Sequence, residues 1–267
     1  MAPIKKSLLV ANWKMNPLTL KEAERIVRSL EHGIKSLGKK DFISKIDLAL
    51  CPPSLYLGKL ENSPLFRWGI QNVHWETRGP FTGEVSLKMA EDAGCRYAII
   101  GHSERRRLFG ETDAVINLKL RAAFATAVSP ILCVGENKEE RKKDQTSVVI
   151  RKQLAQALQK VSVLSLPKLT IAYEPVWAIS DMSGITSTRA DSPDDIMGIS
   201  ILIKKILTEF YHSDVTEKVR IIYGGSVNQK NIDQFIEVKM VDGFLVGGAS
   251  LTVFDFLPII RKVYERS

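Results

Sequence analysis

The sequence predicts an α/β fold, a single closed barrel of eight parallel strands in which each strand is followed by a helix. Three observations predict it. Short β-branched and aromatic runs alternate with amphipathic stretches from end to end, the runs number eight, and no linker or break in composition divides the 267 residues. Alternation of strand and helix implies parallel strands joined by helical crossovers. Eight repeats in roughly 250 residues fit a (β/α)8 barrel better than an open sheet, so residues 1–267 read as one domain.

In order, the first strand is expected over Ser7–Lys14. A helix follows, because Leu20, Ala23, Val27, Leu30, Ile34 and Leu37 recur at steps of three and four and line one face. Strands two and three are expected over Lys45–Pro53 and Trp68–Val73, and the fourth over Tyr97–His102 with a helix from Asp113 to Val128. The fifth, Ile131–Glu136, leads into a helix from Asn137 to Val163. The sixth, Leu169–Trp177, precedes a helix over Asp195 to Tyr211 opened by Pro193. Val219–Gly224 and Gly243–Val246 complete the set, with a last helix over Ser250 to Tyr264.

The composition, 45% hydrophobic and 25% charged, is that of a soluble globular protein. No apolar run is long enough to span a bilayer, so no membrane partner is expected. Lys5 and Lys6 precede an apolar run too short for a secretory signal, and Asn12, Trp13 and Lys14 follow it without a small-residue cleavage site. Cys51, Cys95 and Cys133 are odd in number and sit among apolar residues, which implies reduced, buried thiols in a cytoplasmic protein rather than a disulfide frame or a metal site. The net charge of +8 is spread along helical segments such as Lys138 to Lys143 with no aromatic interleaving. It reads as a solvated surface rather than a nucleic-acid face, and its field would draw in a small anion.

In such a barrel the chemistry collects where strands end. Glu174 lies in Ile171-Ala172-Tyr173-Glu174-Pro175-Val176-Trp177-Ala178-Ile179, an acid among buried residues just where Pro175 removes a ladder donor. It is either a general base or half of a buried ion pair. Lys14 leaves the first strand as a snorkelling surface residue or as a fixed cation at the barrel mouth. His102 precedes Ser103-Glu104-Arg105-Arg106, the first turn of a short helix whose positive end favours neutral imidazole. It is either a hydrogen-bond donor to a carbonyl or a structural histidine. Gly224-Gly225-Ser226 and Gly247-Gly248 follow the last two strands, where barrels commonly hold phosphate on backbone N–H groups.

Together, Asn12-Trp13-Lys14-Met15-Asn16, Gly101 to Arg106, Tyr173 to Ile179, Tyr223 to Ser226 and Val246 to Ser250 resemble the triosephosphate isomerase family, as do Gln71-Asn72-Val73 and Gly79 to Ser86. The match runs in order from residue 7 onward. The resemblance implies a TIM barrel that interconverts dihydroxyacetone phosphate and glyceraldehyde 3-phosphate through an enediolate, with no cofactor or metal. It makes Glu174 the base, His102 the neutral proton-handling group, Lys14 the cation and Asn12 a donor to the substrate oxygen. Pairing a carboxylate base with a neutral histidine is the family's known chemistry. Glu104 would hold Lys14, and the triose phosphate would rest on N–H groups near Ser226, Gly247 and Gly248. The third loop, with Thr82 at its tip and Trp75 and Phe81 within it, would insert into a second subunit, which implies a homodimer.

The sixth loop departs from the family. Ser180 to Ser192 replaces a short glycine-rich lid and is about six residues longer, a length that favours a functional lid or a disordered segment. Ser180 aligns with the family glycine whose N–H meets phosphate, and keeps that donor unless positive φ is required. Asp181 beside it would repel phosphate unless paired, with Arg189 the nearest partner in sequence. The altered loop supports one alternative, a paralogous aldose–ketose isomerase for a four-carbon ketose phosphate. A non-catalytic scaffold barrel is opposed by the complete set of strand-end residues.

Overall fold

The computed structural model describes residues 6–38, 41–178, 192–212 and 214–267. Strands β1 (Ser7–Asn12), β2 (Ile46–Cys51), β3 (Arg67–Ile70), β4 (Cys95–Ile100), β5 (Ser129–Val134), β6 (Thr170–Tyr173), β7 (Arg220–Tyr223) and β8 (Gly243–Val246) close in chain order, all parallel, with β8 pairing back on β1. Around them run α1 (Leu20–Ser36), α2 (Phe42–Lys45), α3 (Leu87–Asp92), α4 (Ser103–Leu108) and α5 (Asp113–Phe124). The ring continues with α6 (Lys138–Lys142), α7 (Thr146–Ala157), α8 (Pro193–Tyr211), α9 (Ile232–Ile236) and α10 (Val253–Arg266). Side-chain oxygens of Thr19, Ser86, Asn137, Ser192 and Thr252 accept N–H groups of the turns they open, which is why those helices start there.

The strands read as continuous apolar runs because both faces are buried. One alternate set, including Leu8, Val10, Ala49, Ile99, Ile131, Ala172, Ile222 and Leu245, fills the barrel interior. The other set, including Leu9, Leu48, Leu50, Ile100, Leu132 and Ile171, packs outward with the helices. At the floor, Arg220 donates to Asp47 at 3.0 Å and to the Tyr97 hydroxyl at 3.2 Å, tying β7, β2 and β4 together. Closure beside β1 requires a glycine at position 243, where φ is +150° and a Cβ would lie 1.9 Å from the Leu8 carbonyl oxygen.

Several boundaries differ from expectation for identifiable reasons. The expected strand Leu169–Trp177 ends at Tyr173, and Val176–Ala178 forms a 3-10 turn. The apolar run continues because the turn packs inward, while Pro175 has no N–H to extend the ladder. β4 stops at Ile100 rather than His102 because Gly101, at φ +74°, turns the chain out of the sheet. The helix expected from Asn137 to Val163 is broken between α6 and α7, where Asp144 takes φ 53°. The last helix starts at Val253 because Thr252 is its extended cap.

Cys51, Cys95 and Cys133 are all buried and unpaired. Burial pushes the Cys95 thiol up to about 12 and the other two upward as well, with the Glu174 carboxylate adding to the rise at Cys133. Unfolded thiols ionise near pH 8.5, so the stability these groups contribute is fully present below that pH and declines as pH rises above it. The folded protein is expected to resist a thiol reagent at pH 8, to release three reactive thiols in denaturant, and to show a lower urea midpoint at pH 10 than at pH 8. Rapid native-state labelling, or an unchanged midpoint, would contradict this account.

Candidate active site

At the carboxyl end of the barrel, the Glu174 N–H donates to the Val134 carbonyl at 2.8 Å, which continues the sheet by one bond as β6 ends. Its residue is 1% exposed, so the carboxylate stands in a dry wall. Two glycines make that wall possible. A Cβ on Gly135 would lie 1.8 Å from the Glu174 carbonyl oxygen, and one on Gly224 would lie 2.8 Å from Glu174 Cγ. Oε2 accepts the Ser103 backbone N–H at 3.0 Å. Oε1 is buried without a hydrogen-bond partner among the described residues, 3.3 Å from His102 Nε2. A carboxylate with one oxygen pinned and the other bare is fixed in direction and keeps one oxygen open to a reacting group.

His102 caps α4, and its Nδ1 accepts the Glu104 N–H at 3.2 Å. A nitrogen that accepts carries no hydrogen, so the ring is neutral with its proton on Nε2, the atom facing Glu174. Glu104 Oε2 lies 3.7 Å from the same Nδ1, outside hydrogen-bond reach, while its Oε1 takes Lys14 Nζ at 2.6 Å.

Lys14 follows β1 in the left-handed region at φ 54°, a rare conformation for a side chain of its size. Gln71 Nε2 holds it there, donating to the Lys14 and Cys51 carbonyls at 2.8 Å each. Asn12 Oδ1 accepts the Lys14 N–H at 3.1 Å, which leaves the Asn12 amide hydrogens to be offered elsewhere. A Cβ on Gly247 would stand 3.5 Å from Lys14 Cε, so the loop after β8 and the lysine share one corner of the mouth. Gly248, exposed, opens a 3-10 turn in which the Gly247 carbonyl accepts from Ser250 Oγ at 2.7 Å. Ser226 sits half-buried after β7, its carbonyl accepting from Asn231 Nδ2 at 2.8 Å.

The fold therefore brings Asn12, Lys14, His102, Glu104 and Glu174 into one cluster, with Gly247 against it. Ser180, expected at the phosphate, lies outside the described residues, as do Asp181 and Arg189. Thr82 is exposed on the loop between β3 and α3, where His74 stacks on Trp75 at 4.0 Å and packs against Phe81 at 4.3 Å. Among the described residues no hydrogen bond joins Thr82 to Lys14 or Asn12 of its own chain.

Three contributors escaped the sequence reading. The Ser103 N–H was visible only as the residue after His102, and nothing local aims it at position 174. Gln71 stood in a quoted motif, and its signal was a polar side chain directly after a buried strand. Cys133 borders Glu174 from β5, a neighbour that strand pairing alone supplies.

The triosephosphate isomerase family model matches residues 7–263. The chain is 41% identical to the triosephosphate isomerase of Dictyoglomus turgidum over 263 residues, covering 97% of this chain and 100% of that one. It is 44% identical to that of Carboxydothermus hydrogenoformans over 262 residues, covering 97% and 99% of the two chains. It is 44% identical to that of Chloroflexus aurantiacus over 258 residues, covering 95% and 98%.

Nitrogen-15 NMR of the histidines tests the tautomer. His102 is expected to show a protonated Nε2 and a bare Nδ1. A protonated Nδ1 would remove the assignment of Nε2 as the donor.

Proposed function

This chain belongs to the triosephosphate isomerase family, and from that premise we propose how its residues divide the reaction. The enzyme interconverts dihydroxyacetone phosphate and D-glyceraldehyde 3-phosphate, an aldose–ketose isomerisation shared by glycolysis and gluconeogenesis. The observation that carries the assignment is the bare Oε1 of Glu174, 3.3 Å from His102 Nε2.

Glu174 takes a proton from carbon 1 of the ketose. The electron pair left behind forms the C1–C2 double bond, and the carbonyl π pair moves onto the oxygen at carbon 2. That oxygen meets the Nε2–H of neutral His102, the Lys14 ammonium and the Asn12 amide, donors that are already oriented when charge develops. His102 passes a proton between the two adjacent oxygens, and Glu174 returns its own to carbon 2. Glu104 keeps the ammonium aimed; the pair is partly exposed, so its value lies in orientation more than in stability. Backbone N–H groups around Ser226, Gly247 and Gly248, with that of Ser180, hold the phosphate.

The homodimer is part of the same proposal. Met15 and Leu18 are 89% and 87% exposed beside Lys14, and Phe81 is 38% exposed on the third loop. Apolar groups of this size are better covered than hydrated. A neighbour's third loop, carrying Thr82, would cover them and brace Lys14 and Asn12. No helix among the described residues is long and apolar enough to cross a membrane, and three free, buried thiols suit the cytoplasm.

Glu174→Gln keeps the shape and removes the base. It should lower kcat on glyceraldehyde 3-phosphate by about 10²–10⁴-fold while KM stays nearly constant. Retained turnover would reassign the base. Sedimentation of the native chain is expected to give the mass of two chains, and Phe81→Glu to shift it toward one with loss of kcat. A fully active native monomer would remove the dimer and the role of Thr82.

A further inference from the structure

β4 and β5 part company just where the site begins. Their last ladder pair is Ile100 with Leu132, after which Gly101 swings to φ +74°. That departure would leave carbonyls of both strands without ladder partners in a region too buried for water to serve them cheaply. One side chain takes both. Arg106 reaches back from α4, Nε donating to the Gly101 carbonyl at 2.8 Å and Nη2 to the Cys133 carbonyl at 3.2 Å. Its third corner, Nη1, donates to Asp113 Oδ1 at 2.5 Å at the start of α5.

The same residue also works through its main chain. The Arg106 N–H donates to the His102 carbonyl at 3.1 Å, beside the Arg105 N–H at 2.8 Å. Both carbonyls flanking His102 are thus held by Arg106, one through the side chain and the other through the backbone. On the β5 side, the residue after Cys133 is Val134, whose carbonyl holds the Glu174 N–H at 2.8 Å. A single guanidinium therefore spaces the turn that leads from β4 into the histidine against β5, whose Val134 carbonyl holds the N–H of the base.

We propose that Arg106 is a positioning residue for the isomerisation. It fixes the peptide before His102, and with it the aim of Nε2 and the Ser103 N–H that grips Glu174. This rests on the reaction assigned above, because it presumes that those two side chains act together. The geometry needs a planar fork: two carbonyls on different strands and a carboxylate are engaged at once, which the point charge of a lysine cannot reproduce. A shift of the histidine by a fraction of an ångström matters because the reaction depends on near-attack geometry.

Arg106→Lys keeps the charge and loses the fork. It should lower kcat by about 10–100-fold, leave KM within about threefold, and move the His102 Nε2–H resonance in the substrate-free protein. A role in stability alone predicts a lower unfolding midpoint with kcat and the His102 resonance unchanged, and that result overturns the proposal. Asp113→Asn supplies a second reading if the lysine variant does not fold. It loosens only the third corner, so a smaller fall in kcat at constant KM supports the proposal, and unchanged kcat with an unmoved resonance overturns it. If the native chain fails to turn over triose phosphate, the functional reading falls, while the His102 resonance still decides whether Arg106 sets the histidine.

Discussion

The barrel mouth is organised around keeping one carboxylate dry without neutralising it. An isolated charge in an apolar wall costs several kcal/mol unless its surroundings compensate. Glu174 is compensated only in part: one oxygen takes the Ser103 N–H, and the other faces an imidazole. Full compensation by a cation would make it a stable ion pair and a poor base. The Lys14 ammonium is instead committed to Glu104. The glycines at 135 and 224 follow from the same constraint, since any side chain there would occupy the space of Glu174 itself.

Much of this was legible in the residues. Eight apolar runs with intervening stripes of period 3.6 specify a closed parallel barrel, because both faces of each strand must be covered. Strand-end residues were legible by type: an acid before a proline, a histidine after a glycine, glycine pairs after the last two strands. Lengths were less legible. Leu169–Trp177 is largely apolar, yet only its first part forms ladder bonds, because burial and hydrogen bonding are separate demands. Contacts between strands were not legible at all. That Ser103 meets Glu174, or that Gln71 holds Lys14, depends on the register of closure, and neither partner carries a local mark of the other.

Strain at Lys14 illustrates how the parts depend on one another. A left-handed lysine costs on the order of 1–2 kcal/mol relative to ordinary backbone. Gln71 offsets it by holding the strained carbonyl together with that of Cys51 in the adjacent strand. The benefit is directional: the reversal of the chain turns the ammonium back over the barrel, toward Glu104 and the corner left open by Gly247. A relaxed backbone at this point would send the side chain elsewhere. The strain therefore belongs to the site rather than to the fold.

The two ends of the barrel divide the labour. At the floor, Arg220, Asp47 and Tyr97 satisfy one another across three strands, and burial pushes the tyrosine to about 12, so the group is inert at working pH. The Arg220 guanidinium there is spent on holding the strands together. At the mouth, Glu174 Oε1 has no donor among the described residues, and the histidine proton points into the same space. The same barrel supports both because its strands are continuous: polar groups satisfied at one end fix the register that leaves groups unsatisfied at the other. A site assembled from incomplete hydrogen bonding depends on a scaffold that holds its groups in place, as the Arg220 cluster and the strand ladders do here.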